Sequence, residues 1–137
     1  MKTLVFSDLY VGMSAEFHRE INHELIQSFA EISGDSNPLH INGDYAHKSG
    51  YIDQVAHGML CSSFFSELVG VHLPGENCLL TDITVEFAKP VFAGERVSIS
   101  GAITQLSPAF KSAKIEATIT NKDSVVCVRA KIGVVVR

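Results

Sequence analysis

The segment HGMLCSSFFSELVGVH, residues 57–72, is apolar along almost its whole length. Wound into a helix, it presents apolar side chains on most of its sides, which is typical of a buried helix rather than one that lies on the surface. These side chains are Met59, Leu60, Cys61, Phe64, Phe65, Leu68, Val69 and Val71. The pair Pro74–Gly75 then ends the helix. The segment therefore predicts one central helix that other elements enclose.

Four stretches after this helix alternate apolar and polar residues, which is the pattern of antiparallel strands with one covered face. The apolar stripes are Leu79, Thr81, Ile83, Val85 and Phe87; Val97, Ile99, Gly101 and Ile103; Ala113, Ile115, Ala117 and Ile119; and Val126, Val128, Ala130, Ile132, Val134 and Val136. Turn signals separate the stretches, at Lys89–Pro90 with Gly94, at Ser107–Pro108 and at Asn121–Asp123.

The residues before the central helix predict a fifth strand and shorter helices. Residues 13–21 alternate as a strand, Asn22 can cap a helix that follows it, and Gly34 can end that helix. A short helical piece is expected at 43–48. No linker or repeat divides residues 1–137, so we expect a single domain. The resulting class is α+β, a hot-dog fold in which an antiparallel sheet of about five strands wraps around the central helix.

Composition excludes several classes of protein. The 137 residues are 46% hydrophobic and 19% charged with a net charge of −4, which is ordinary for a globular domain. There is no basic patch for nucleic acid and no stretch of transmembrane length. The N-terminus does not resemble a signal peptide. Cys61, Cys78 and Cys127 lie in apolar runs without metal-ligand spacing, which favours reduced, buried thiols in a cytoplasmic protein.

The stretch GDSNPLH, residues 34–40, places the Asp35 carboxyl and the His40 imidazole on either side of a stiff turn. Pro38 fixes its own backbone angle and restricts Asn37, whose side chain can bond the nearby backbone. A carboxylate and an imidazole at such a turn can hold and activate a water molecule. In isolation the same stretch would only end a helix and make a turn.

Three segments resemble landmarks of the (R)-specific enoyl-CoA hydratases of the MaoC-like dehydratase family. The first runs from Phe29 through Gly34–Asp35–x–Asn37–Pro38–Leu39–His40 to Ala46. The second is His57–Gly58–Met59–Leu60, at the start of the central helix. The third is Phe87–x–x–Pro90–Val91–x–x–Gly94–Glu95. The match is dense from Phe29 to Arg96, and the order and spacing of the segments are those of the family.

The resemblance implies reversible hydration of trans-2-enoyl-CoA to (R)-3-hydroxyacyl-CoA without a cofactor or metal. Asp35 and His40 would hold the water jointly. Gly58, in the first turn of the central helix, can offer its amide to the thioester oxygen, and the helix dipole reinforces it. Asn37, Ser66 and Val69 are assigned to the substrate-binding surroundings. The family also implies a homodimer whose active sites lie near the interface.

Other interpretations stay open at this point. The substrate could be an acyl carrier protein thioester, as for a 3-hydroxyacyl-[acyl-carrier-protein] dehydratase, or water could attack the carbonyl, as in a hot-dog thioesterase. A non-catalytic acyl-CoA sensor is disfavoured because Asp35 and His40 are both present. We expect His57 to cap or pack the helix start rather than take part in the chemistry. A metal site from His40, Asp44 and His47 lacks a recognised ligand pattern.

Overall fold

A computed structural model describes all residues, 1–137. Its five strands are β1 (Ser14–Ile21), β2 (Cys78–Phe87), β3 (Glu95–Ser107), β4 (Ser112–Thr120) and β5 (Val126–Val136). They form one antiparallel sheet in the order β1-β3-β4-β5-β2. The helices are α1 (His23–Ser33), α2 (Pro38–Ile41), α3 (Gly43–Lys48) and α4 (Gly58–Glu67), with a short 3₁₀ turn at Phe6–Asp8. The predicted α+β layout is confirmed.

The two ends of α1 form as the sequence predicts, and they decide where the loop after it begins. The Asn22 side chain accepts a hydrogen bond from the Leu25 amide at 2.8 Å. Gly34 ends the helix with φ +77°, in the left-handed region that glycine adopts at little cost. Asp35 is therefore the first residue beyond a sharply ended helix.

The central segment is buried, as predicted, but only its first part is an α-helix. Leu60, Cys61, Phe64 and Phe65 of α4 share one hydrophobic cluster with the inward side chains of the sheet. Residues Leu68–His72 then form a π-helical turn. The Leu73 amide donates to the carbonyl of Leu68 at 2.8 Å, which closes the wider turn.

One predicted stripe is wrong. In β2, Leu79 and Thr81 do not share a face with Ile83, because a bulge interrupts the register between Leu80 and Asp82. Leu80 is paired with Val134 and Ile83 with Ile132, both of which are buried, so Leu80 rather than Leu79 shares a face with Ile83, and both side chains stay partly exposed at this edge of the sheet. The stripes predicted in β3 and β4 are buried throughout.

The three cysteines are unpaired, and none is fully exposed. Cys61 and Cys127 are buried, while Cys78 is half-buried. Burial raises the pKa of the Cys61 thiol from 9.0 to about 12, and it also raises the pKa values of Cys78 and Cys127. These thiols are therefore neutral around pH 7, and a neutral thiol is a poor nucleophile. None of the helices combines the length and the hydropathy that spanning a bilayer requires.

Candidate active site

The loop after α1 is held by short-range hydrogen bonds from side chains to the backbone. The Asp35 amide donates to Ser33 Oγ at 3.1 Å, and the Asn37 amide donates to Asp35 Oδ1 at 3.2 Å. The Asn37 side chain in turn caps α2 by accepting from the Leu39 amide at 3.0 Å. One oxygen of the Asp35 carboxylate is thereby tied to the loop, and Oδ2 is left for other partners.

His40, on α2, directs one ring nitrogen at Asp35. Its Nδ1 lies 2.6 Å from the Val55 carbonyl, so Nδ1 carries the proton and donates it. In the neutral ring Nε2 is then an acceptor, and it lies 3.8 Å from Asp35 Oδ2. Two acceptors cannot bond each other directly, and at this separation both can accept from one water between them. The predicted Asp35 and His40 pair is brought together.

His57 lies directly behind this pair, which the sequence did not predict. Its Nε2 is 3.0 Å from the Asp35 carbonyl, and its ring stacks on the His40 ring with the centroids 3.9 Å apart and the planes 27° apart. Phe29 packs against it at 5.0 Å. His57 stands at the N-cap of α4 but makes no capping hydrogen bond through its side chain. The predicted packing of His57 at the start of α4 is confirmed, whereas the predicted cap through its side chain is not formed.

Asp35, His40 and His57 together offer three ligand atoms within 4.8 Å of one another. A metal ion could use such a set if the nitrogen lone pairs pointed at one place. Lone pairs lie in the ring planes, however, and the two rings are stacked nearly face to face. Nitrogen lone pairs in two stacked planes do not meet at one point between the rings, so the arrangement suits a water held by Asp35 and His40 better than a shared cation.

Gly58 is the first residue of α4, where a backbone N–H has no acceptor within the helix. A Cβ at this position would lie 2.9 Å from Cε1 of Phe87, so a side chain there would require the half-exposed Phe87 ring to shift. His40 and Gly58 both line one cavity of about 480 Å³, and Asp35 lies beside His40 outside that lining. The cavity is lined by His40, Val55, Ala56, Gly58, Met59, Cys61, Phe87, Ala88, Lys89, Pro90, Val91 and Val128.

None of the three predicted substrate-binding residues lines this cavity, and Asn37 instead caps α2 in the loop after α1. Ser66 is exposed near the end of α4, and Val69 is buried in the core within the π-helical turn. Neither lines the cavity that contains His40 and Gly58. A further concavity of about 430 Å³ lies on the outer face of the sheet, among charged and polar side chains, and includes no predicted site residue. Contacts of Ser66 and Val69 with substrate stay predictions.

Sequence reasoning missed His57 and Phe87 as parts of the site. The signal for His57 was a histidine directly before Gly58 at the start of an apolar helix, but nothing local says that its ring meets His40. Phe87 belonged to a recognised segment, yet only the pairing of β2 with β5 carries its ring to Gly58. Both contacts join residues far apart along the chain.

Fold and site define a hot-dog protein with a carboxylate and an imidazole beside a free helix N-terminus. The MaoC-like domain family matches residues 10–125. The (R)-specific enoyl-CoA hydratase of Rhodospirillum rubrum is 35% identical over 121 residues, covering 88% of this chain and 84% of the relative. The 3-hydroxybutyryl-CoA dehydratase of Methylorubrum extorquens is 31% identical over 126 residues, covering 92% and 80%.

A solved structure agrees with the fold. The (R)-hydratase from A. caviae involved in PHA biosynthesis superposes with a TM-score of 0.92 at 29% identity, covering 94% of this chain and 98% of that one. The chain belongs to the MaoC-like dehydratase family and is an enzyme of the hydro-lyase class. The predicted fold and the predicted family are both confirmed.

Proposed function

We propose that this enzyme adds water reversibly to trans-2-enoyl-CoA and forms (R)-3-hydroxyacyl-CoA. The observation that carries the proposal is the pair of acceptors, Asp35 Oδ2 and His40 Nε2, 3.8 Å apart, with His40 lining the same cavity as Gly58. The first two atoms can hold a water, and the third can bind the thioester oxygen. These are the two requirements of hydration.

The reaction follows from these positions. A water that donates one hydrogen bond to Asp35 and one to His40 keeps an oxygen lone pair free to attack C3 of the enoyl group. As the new C–O bond forms, the electrons of the C2=C3 bond move to the thioester oxygen as an enolate. The attacking water gives up a proton to the Asp35 and His40 pair, and the pair then passes a proton to C2, so that it returns to its starting state. Since the two groups act together, neither is assigned the proton alone.

Gly58 supplies the electrostatic part of the mechanism. Its N–H is at the positive end of the α4 dipole, and preorganised donors of this kind stabilise charge that develops in the transition state. Ser66 and Val69 would line the acyl chain further along the helix, and Asn37 would keep the loop closed. The reaction moves protons and no electrons to an acceptor, so it needs no redox cofactor.

A homodimer formed along β2 completes this proposal. β2 is an edge strand paired only with β5, and four of its apolar side chains are exposed, namely Leu79, Leu80, Ile83 and Phe87. Proteins seldom leave a long apolar edge uncovered. Phe87 also lines the cavity, so a second copy along β2 would bring the interface close to the active site.

The unpaired thiols suit the reducing cytoplasm, where we place the enzyme.

Incubation with crotonyl-CoA tests the proposal against its rivals. The conjugated enoyl absorbance should fall without release of free thiol, and thiol release with the conjugation intact would identify a thioesterase instead. The crotonyl thioester of an acyl carrier protein, assayed in parallel, separates the dehydratase alternative. Asp35→Asn and His40→Ala should each lower kcat about 10²- to 10⁴-fold, the range of acid–base catalysis, with the far-UV circular dichroism unchanged. Near-normal rates in both variants would refute the assigned pair.

A further inference from the structure

We propose that His57 is a positioning residue that holds Asp35 and His40 at the separation a bridging water requires. This inference rests on the proposed hydration. His57 has no route to the substrate of its own, since it is 2% exposed and does not line the cavity with His40. Its influence on the reaction must pass through the two residues that it touches.

The first contact fixes Asp35 through the backbone. His57 Nε2 donates to the Asp35 carbonyl at 3.0 Å, across 22 residues of sequence. The hydrogen bond joins the start of α4 to an exposed loop whose other hydrogen bonds are all local. It is the one hydrogen bond that ties the Asp35 backbone to a residue distant in sequence.

The second contact fixes the plane of the His40 ring. The rings of His40 and His57 lie face to face at 3.9 Å, and Phe29 packs against His57 at 5.0 Å. The hydrogen bond from His40 Nδ1 to the Val55 carbonyl fixes how the ring is turned within that plane. Together these contacts leave the His40 ring a single orientation, with Nε2 towards Asp35.

The remaining nitrogen of His57 shows that packing alone does not explain this residue. Since Nε2 donates, Nδ1 is an acceptor, and it is buried without any hydrogen-bond partner. An unpaired buried acceptor destabilises the fold. A phenylalanine ring would fill the same space without that cost, but it would lose the Nε2–H. The structure therefore points to the donor at Nε2 as the reason for a histidine here.

Three substitutions of His57 separate the effect of its Nε2–H donor from the effect of its aromatic ring. His57→Phe keeps the ring and its stacking but removes the donor. His57→Gln places an amide N–H at the position of Nε2, whereas the shorter side chain in His57→Asn does not reach it. Phe65→Leu is the control, because Phe65 is buried in α4 and does not line the cavity with His40 and Gly58.

In steady-state hydration of crotonyl-CoA we expect His57→Phe to lower kcat about 10- to 100-fold, the cost of misplacing a catalytic group by about 1 Å. KM should change by less than about threefold, and the melting temperature should not fall. His57→Gln should recover most of the lost kcat, and His57→Asn should not. Phe65→Leu should lower the melting temperature at an unchanged kcat per folded molecule.

Wild-type kcat in folded His57→Phe would overturn the proposal, as would His57→Gln no more active than His57→Asn. If His57→Phe does not fold, the Gln and Asn pair decides. Long-range proton–nitrogen NMR of the substrate-free enzyme gives a readout that is independent of activity. It should show His57 protonated at Nε2, and protonation at Nδ1 would refute the inference. An inactive wild-type enzyme would instead refute the proposed hydration and leave the NMR result standing.

Discussion

Two imidazole rings lie face to face in the site, and backbone carbonyls decide which nitrogen of each carries the proton. Val55 accepts from Nδ1 of His40, and Asp35 accepts from Nε2 of His57. The bare Nε2 of His40 can therefore accept a proton from water. At the scale of single residues, a backbone carbonyl sets the tautomer in which His40 Nε2 can act as a base, and a neighbouring cation is not needed to set it.

Gly58→Ala tests the place of the thioester oxygen. The new Cβ would lie 2.9–3.0 Å from the nearest carbons of the Phe87 ring, which is half-exposed and can move by a few tenths of an ångström. The fold should survive, but the methyl group occupies the approach to the amide. We expect kcat to fall about 10²-fold, as for loss of one oxyanion donor. Crotonyl-CoA hydration measures the loss of kcat, and thermal melting measures whether the fold survives.

The double variant Gly58→Ala/Phe87→Leu controls for displacement of the ring. It should regain the melting temperature of the wild-type enzyme without regaining its kcat. Full recovery of activity in the double variant would mean that only the position of Phe87 matters, and the assignment of Gly58 would be wrong.

The pKa of Cys61 predicts how stability depends on alkaline pH. Its folded pKa of about 12 lies above the ordinary thiol value of 9.0. Below pH 9 both states hold the proton and the stability is at its full value. Between pH 9 and about 12 the unfolded chain ionises first, so the free energy of unfolding should fall as the pH rises. Urea unfolding at a series of pH values measures this fall.

Cys61→Ala should make that alkaline fall shallower, and it should do so more than Cys78→Ala, because Cys78 is less buried. If the free energy of unfolding fell equally with pH in Cys61→Ala and in the wild-type protein, the alkaline fall could not be due to Cys61.

At the scale of elements, the predictable features were those with local causes. Asn22 and Gly34 bound α1 as expected, because capping depends only on neighbouring backbone groups. The β2 bulge was not predictable from local sequence, because Asp82 lies opposite Gly133, on β5, where a Cβ would meet its carboxylate at 2.1 Å. The π-helical turn Leu68–His72 likewise depends on packing across the core.

Gly101→Ala tests this long-range packing. A Cβ on Gly101 in β3 would lie 2.7 Å from Cδ2 of Leu68, which is fully buried at the start of the π-helical turn. We expect overpacking to lower the free energy of unfolding by about 1–3 kcal/mol. The matched control is Gly70→Ala, where a Cβ meets nothing within 4 Å. Equal stability of the two variants in urea would show that the packing of Leu68 against Gly101 leaves room for a methyl group.

At the scale of the whole molecule, the sequence indicated the family and the enclosing sheet but not how far the site depends on distant pairs. His57 with His40, and Phe87 with Gly58, meet only because α4 lies between the loop after α1 and the edge of the sheet. Spacing along the chain located Asp35, His40 and Gly58, since they stand in recognisable local segments. It could not locate partners that the tertiary fold supplies.

The exposed apolar edge of β2 predicts the state of association. Analytical ultracentrifugation should give about twice the chain mass of 14.9 kDa for the wild-type protein. Ile83→Lys places a charge on this edge and should give the single-chain mass. Ile32→Lys adds the same charge on α1, where Ile32 is 84% exposed, and should leave the dimer intact. A monomeric wild-type protein, or a dimeric Ile83→Lys, would contradict association along β2.

Hydration of crotonyl-CoA in ¹⁸O-labelled water tests the central claim most directly. If Asp35 and His40 deliver water to C3, mass spectrometry should find the label in the C3 hydroxyl of an intact 3-hydroxybutyryl thioester. An (R)-specific dehydrogenase should oxidise that product, and Asp35→Asn should slow the labelling by the same factor by which it lowers kcat. Label in a free carboxylate, or an (S) product, would contradict the account.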